Sequence, residues 1–212
     1  MKKIISLILI NLSVFASQEV QDFWNQYDPH KAPLNTEIIK EWQEGENTYM
    51  LLRYDLGLLK GTNKSASPKI AAYYGFPTRL KGKSPGIVHI HGGGQKASLS
   101  RVKSWTELGY AAISINWGAK VIDKPNTPNT DWDGIAAGFI RPGITIADDL
   151  DHHNTISPDN NTLYKEFHLL NSSWNLIAMS VRRALTFLES RQEVDPHKLG
   201  IEGHSMGGNP LY

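Results

Sequence analysis

The chain has 212 residues, with 22 basic and 21 acidic side chains and no cysteine. That balance removes any electrostatic case for a nucleic-acid partner. The lack of cysteine excludes disulfides, a Cys nucleophile and a Cys metal site, and the length permits one domain with a full core. Residues 1–16 read as a secretory signal. Lys2 and Lys3 carry the positive charge, residues 4–15 are largely apolar, and Val14 and Ala16 are small residues spaced for cleavage after Ala16. The apolar run is too short for a convincing transmembrane span. The expectation is a secreted or periplasmic protein of 196 residues and formal charge −1, with no stable membrane span once the signal is removed. The alternatives are a retained anchor or a buried first helix.

Residues 17–45 are polar with scattered aromatics and read as an N-terminal arm, with a short helix over 20–27. Residues 50–56 and 70–76 are strand-like. Turn residues at 60–63 and 65–68 lie between them, which suits the antiparallel start of a mixed sheet. Residues 86–91 form a β-branched run bounded by Gly and Pro, the pattern of a buried strand. Leu99, Val102, Trp105 and Leu108 recur at helical spacing, Gly109 can close that helix, and 110–116 is the next strand. This succession predicts a right-handed crossover with parallel pairing. From 118 to about 167 the pattern dissolves into an insertion rich in Pro, Gly, Asn and Asp, with a short helix expected over 132–139. Beyond Ser172, Trp174, Ile177, Val181, Ala184, Leu185 and Leu188 line one helical face, with Arg182 and Arg183 set largely away from it. Val194-Asp195-Pro196 breaks that helix before a short strand over 198–202.

That strand runs into Gly203-His204-Ser205-Met206-Gly207-Gly208, which reads as a nucleophile elbow. A sharp strand-to-helix turn exposes a nucleophilic Ser only if the positions two before and two after it are small, and Gly203 and Gly207 meet that need. Gly208 adds further room. The alternative is a glycine-rich turn of no catalytic meaning. Upstream, His91-Gly92-Gly93-Gly94-Gln95 follows a strand directly, so its backbone can approach a ligand closely. The amides of Gly93, or secondarily Gly94, together with that of Met206 are candidates for an oxyanion hole. No Lys-Ser or Lys-Thr trails this loop, so a nucleotide phosphate site is not indicated. His91 suits orientation of the loop better than general-base work. His204 is badly directed for a base and suits packing or substrate contact. Trp117, at the end of a strand, and Trp132, in the insertion, are placed to stack on a sugar or acyl group, with core packing as the alternative.

The combination of 86–94, Asn116-Trp117-Gly118 and 194–208 resembles the α/β-hydrolase superfamily over roughly residues 50–209. It is most similar to the branch holding dienelactone hydrolases and acetyl xylan esterases. The resemblance implies an α/β three-layer sandwich with a mostly parallel sheet, built by 46–212 as a partial domain whose C-terminal strands are missing. It also implies that Ser205 attacks an ester carbonyl, forms an acyl-enzyme and releases an alcohol, with no cofactor and no metal. The substrate is then an ester, in one form an acylated polysaccharide. The family sets its acid and its histidine after later strands, beyond Tyr212, so the expectation is a C-terminally truncated sequence. Asp148, Asp149, Asp151, His152 and His153 crowd the insertion. They read as a solvated loop, a substrate rim, a divalent-metal cluster or a stand-in for the triad. A peptidase, lactonase or thioesterase of the same fold, and a non-catalytic glycan-binding remnant, are the rival functions.

Overall fold

A computed structural model describes residues 18, 21–79, 82–118, 120–135, 158, 160 and 162–211. The chain divides into two units, Met1–Ala32 and Pro33–Tyr212. In the first, residues 21–25 are helical, and the ring of Phe23 meets Trp24 edge-on at 5.1 Å and Tyr27 at 5.2 Å.

The second unit is built on a six-stranded sheet. Its strands are β1 (Glu37–Glu44), β2 (Asn47–Asp55), β5 (Lys69–Pro77), β6 (Ser84–Ile90), β7 (Ala111–Ile115) and β8 (Val194–Gly203), in the order β1-β2-β5-β7-β6-β8. A two-stranded hairpin, β3 (Leu59–Lys60) with β4 (Ser65–Ala66), interrupts the path from β2 to β5. The pairings β1–β2, β2–β5 and β5–β7 are antiparallel, and only β7–β6 and β6–β8 are parallel. The expectation of a mostly parallel sheet is therefore overturned. The reason lies in the connections. A parallel pair needs a crossover, usually a helix, and the described chain supplies two, α1 (Leu99–Glu107) and α2 (Ser173–Glu189). The first three strands are linked instead by a tight turn at Gly45, whose φ is 59°, and by the β3–β4 hairpin.

β1 falls within the segment read from sequence as an arm. Its residues are exposed or half-buried throughout, so no apolar run marks it, and it joins the sheet through backbone pairing with β2. The interior strands show the reverse pattern. Tyr49, Leu51, Tyr73, Ile87 and Ala112 turn to one face and pack with Val102 of α1. Tyr54 and Tyr74 turn to the other, where Phe187 of α2 stacks on Tyr54 at 6.4 Å and meets Tyr74 edge-on at 5.0 Å. The Tyr54 hydroxyl donates to the Ser180 carbonyl, 3.0 Å away. Helices thus cover both faces. The buried stripe of α2 is rotated from the one expected: Arg183 is 3% exposed while Leu185 is only half-buried. The Arg183 guanidinium is usable inside because it donates to the carbonyls of Asp55 (3.0 Å) and Pro33 (2.8 Å).

The expected helix over 132–139 lies partly outside the described residues. Its start is a turn, with Asp131 bridged to Lys69 and Asp133 and Gly134 both at positive φ. The Asp148–His153 cluster lies outside the described residues altogether. No helix among the described residues is long and apolar enough to cross a membrane.

Candidate active site

Three loops leave the same edge of the sheet because three parallel strands end there in register. Ile90 of β6 sits opposite Ile115 of β7 on one side and Gly203 of β8 on the other. The segments His91–Gly94, Asn116–Gly118 and His204–Met206 therefore begin at one level. The crossover from β6 through α1 runs to one side and β8 returns on the other. Open α/β sheets take ligands at the carboxyl ends of the strands beside such a reversal.

At the end of β8 the backbone turns abruptly. Ser205 has φ 53°, a region that L residues other than Gly rarely adopt. The glycines around it have no space for a side chain. A Cβ on Gly203 would run into the Gly207 carbonyl, and one on Gly207 would run into the carbonyls of Ile90 and His91. Gly208 differs from expectation, since a Cβ there meets nothing within 4 Å. The turn is tied to β6 by the His204 amide, which donates to the Ile90 carbonyl at 3.3 Å. It is closed by the Gly207 amide, which donates to the His204 carbonyl at 2.9 Å. A 3-10 helix, Ser205–Leu211, follows. Both His204 and Ser205 are exposed.

The glycine loop lies directly against this turn. A Cβ on Gly92 would stand 3.4 Å from Ser205 Cβ, and one on Gly93 would strike the Met206 sulfur. Gly94 has φ 66°. The Gly92 amide donates to Gln95 Oε1 at 3.2 Å, while the amides of Gly93 and Gly94 have no partner among the described residues. Two unpaired backbone donors beside an exposed hydroxyl at a strained turn can bind and polarise a carbonyl oxygen.

Trp117 and Trp132 are interior, at 0% and 4% exposure, so neither offers a face to a sugar. Trp117 lies flat on the His91 imidazole, with centroids 4.6 Å apart and planes at 6°, and its indole N–H donates to the His91 carbonyl at 2.9 Å. His91 Nδ1 donates to the Gly92 carbonyl at 2.8 Å, and burial pulls its pKa down from 6.5 to about 4. Behind it, burial also lowers the pKa of His89, whose Nδ1 sits 2.9 Å from Ser114 Oγ. Sequence reasoning missed the residues that brace the loops. The Asn116 side chain accepts from the Ala97 amide (2.8 Å) and donates to the Lys120 carbonyl (2.8 Å), joining the glycine loop to the start of the insertion. Glu202, one residue before Gly203, accepts from the Trp105 indole at 2.6 Å and so holds β8 to α1. A polar side chain at or just beyond the end of a strand was the available signal in both cases.

No family model matches the chain. A search of curated proteins finds "Putative hydrolase YtaP" of Bacillus subtilis (strain 168), 25% identical over 183 residues, which are 85% of this chain and 52% of that protein. Among solved structures the chain is similar to an acetyl xylan esterase from Paenibacillus sp. R4, with TM-score 0.54, 19% identity, and coverage of 88% of this chain and 51% of that one. It is also similar to acetyl xylan esterase 1 from Thermoanaerobacterium sp. JW/SL YS485, with TM-score 0.56, 17% identity, and coverage of 89% and 51%. The likeness to these two esterase structures is one of fold. The chain spans about half the length of these relatives.

Proposed function

We propose that Ser205 is the nucleophile of an exported serine ester hydrolase acting on acylated carbohydrate. The observation that carries this is the backbone of Ser205 itself: a non-glycine residue at φ 53°, exposed, between two glycines whose Cβ positions are already occupied. Strain of this kind persists only where surrounding structure enforces it, and it concentrates at working sites. The Gly93 and Met206 amides are the proposed oxyanion donors, with Gly94 in reserve. His204, exposed beside the hydroxyl, is the side chain best placed to touch substrate.

In this reading Ser205 Oγ attacks the ester carbonyl carbon as its proton passes to a histidine base. The carbonyl oxygen takes the negative charge and accepts hydrogen bonds from the amides. Collapse of the tetrahedral species breaks the ester C–O bond, and the alcohol leaves with the proton. Water then releases the acid from the acyl-enzyme by the same steps. The names of the similar proteins, one a hydrolase and two acetyl xylan esterases, support hydrolysis and lean toward an acetylated glycan. The signal-like residues 1–16 support export.

Fluorophosphonate labelling followed by peptide mass spectrometry tests the nucleophile. Label is expected on Ser205, and Ser205→Ala is expected to remove it and to lower kcat on p-nitrophenyl acetate by roughly 10⁵-fold or more. Activity within tenfold of wild type in that variant would refute the assignment. Acetate release from acetylated xylan, set against release from simple aryl acetates, tests the substrate class. A mature N-terminus at Ser17 in protein from the native host tests export.

A further inference from the structure

We propose that His91 and Trp117 act together as a positioning pair that aims the Gly93 amide at the substrate carbonyl oxygen. This rests on Ser205 being the nucleophile. A trans peptide is planar, with its C=O and the following N–H pointing in opposite directions. Holding one carbonyl therefore sets the direction of the next amide. Two successive carbonyls are held here. The Trp117 indole grips that of His91 at 2.9 Å, and His91 Nδ1 grips that of Gly92 at 2.8 Å. The second grip turns the Gly93 N–H away from the imidazole, and that N–H has no partner among the described residues.

The gripping ring is itself fixed. It is 1% exposed, lies flat on Trp117, and leaves at Gly118 only enough room that a Cβ would stand 3.3 Å from its Cε1. Its other nitrogen, Nε2, is buried without a partner among the described residues. An unsatisfied buried acceptor costs about 1–3 kcal/mol, so an apolar ring would fill this space at lower cost. What the imidazole adds is a donor at Nδ1. Donation to a carbonyl requires the Nδ1–H tautomer, and with Nε2 lacking an acceptor the neutral ring is the form that fits.

The tautomer can be read in the intact wild-type protein from long-range ¹H–¹⁵N correlations of labelled histidine at pH 6. The Nδ1–H form is expected, and the Nε2–H form would overturn the proposal. Two substitutions then separate positioning from mere packing. The amide nitrogen of His91→Asn overlays Nδ1, whereas that of His91→Gln overlays Nε2. His91→Gln is expected to lower kcat on p-nitrophenyl acetate about 100-fold, the size of losing one oxyanion donor, with KM within threefold. His91→Asn is expected to recover most of that loss. Equal losses in both, or kcat within threefold of wild type in His91→Gln, would overturn it. Should His91→Gln fail to fold, Trp117→Phe keeps the stacked ring but removes the grip on the His91 carbonyl. A fall in kcat of about tenfold is expected there, and an unchanged kcat would overturn the proposal. An active Ser205→Ala would instead remove the nucleophile assignment itself, whatever the His91 variants do.

Discussion

At Ser205 the backbone departs from ordinary geometry, and the neighbouring glycines decide whether it can. A methyl on Gly207 meets two main-chain carbonyls that cannot swing aside as a side-chain end would. Overpacking typically costs about 1–3 kcal/mol and more when backbone must move, so Gly207→Ala is expected to lower Tm by about 6–12 °C. Gly208→Ala, with nothing within 4 Å, is expected to leave Tm unchanged. Thermal scans of the two variants side by side check this, and equal effects would refute it. The buried imidazoles add a pH dependence. His91 ionises at about 4 in the fold and near 6.5 when unfolded, so between those values the unfolded chain binds more protons. Stability is then complete above about pH 6.5, falls as pH drops, and levels off below about pH 4. His89, lowered mainly by burial, acts in the same direction. Stability measured across that window is expected to fall by up to about 3 kcal/mol on account of His91, and by less in His91→Asn. The glycine pair and the Ser between them were legible from sequence because spacing along six residues is a local property. The vacancy at Gly208 was not, because it depends on what lies across the turn.

At the scale of elements, each helix is held by something different. Ser98 caps α1 by accepting from the Arg101 amide at 3.2 Å. Removal of such a cap costs about 1 kcal/mol, so Ser98→Ala is expected to lose about 2–4 °C in Tm. The longer α2 is held by its buried face. Phe187 is 2% exposed between Tyr54 and Tyr74, and Phe187→Ala is expected to cost about 3–5 kcal/mol. Urea unfolding of both variants would measure the difference, and a cap loss as large as the Phe187 loss would contradict this division. Apolar periodicity revealed β2, β5, β6, β7 and both helices within a few residues of their ends. It could not reveal β1, which has no fully buried residue and whose strand conformation is set by pairing with β2. It also put Arg183 on the wet side of α2, because the carbonyls that take it inside belong to residues far away in the chain.

For the whole molecule, the sheet order predicts a gradient of protection. β2, β5, β7 and β6 lie inside the sheet, while β1 forms one edge and fully buries none of its residues. Amide hydrogen exchange is expected to be slowest in the four interior strands and fastest in β1, since edge elements open at lower free energy. Comparable protection in β1 would refute it. The sequence by itself determined where the strands β2, β5, β6 and β7 and the two helices lie, that Ser205 stands on a glycine-flanked turn after a strand, and that a glycine loop ends an earlier strand. Those features depend on neighbours a few residues apart, through backbone sterics and alternation of apolar side chains. Only the tertiary structure decided that antiparallel pairs outnumber parallel ones, and that the two glycine-rich turns meet across adjacent strands. It alone turned Trp117 inward onto His91, 26 residues away, and tied Arg183 to Asp55, 128 residues away. Pairing direction and the satisfaction of buried polar groups depend on which distant segments come together, and no local pattern encodes that choice.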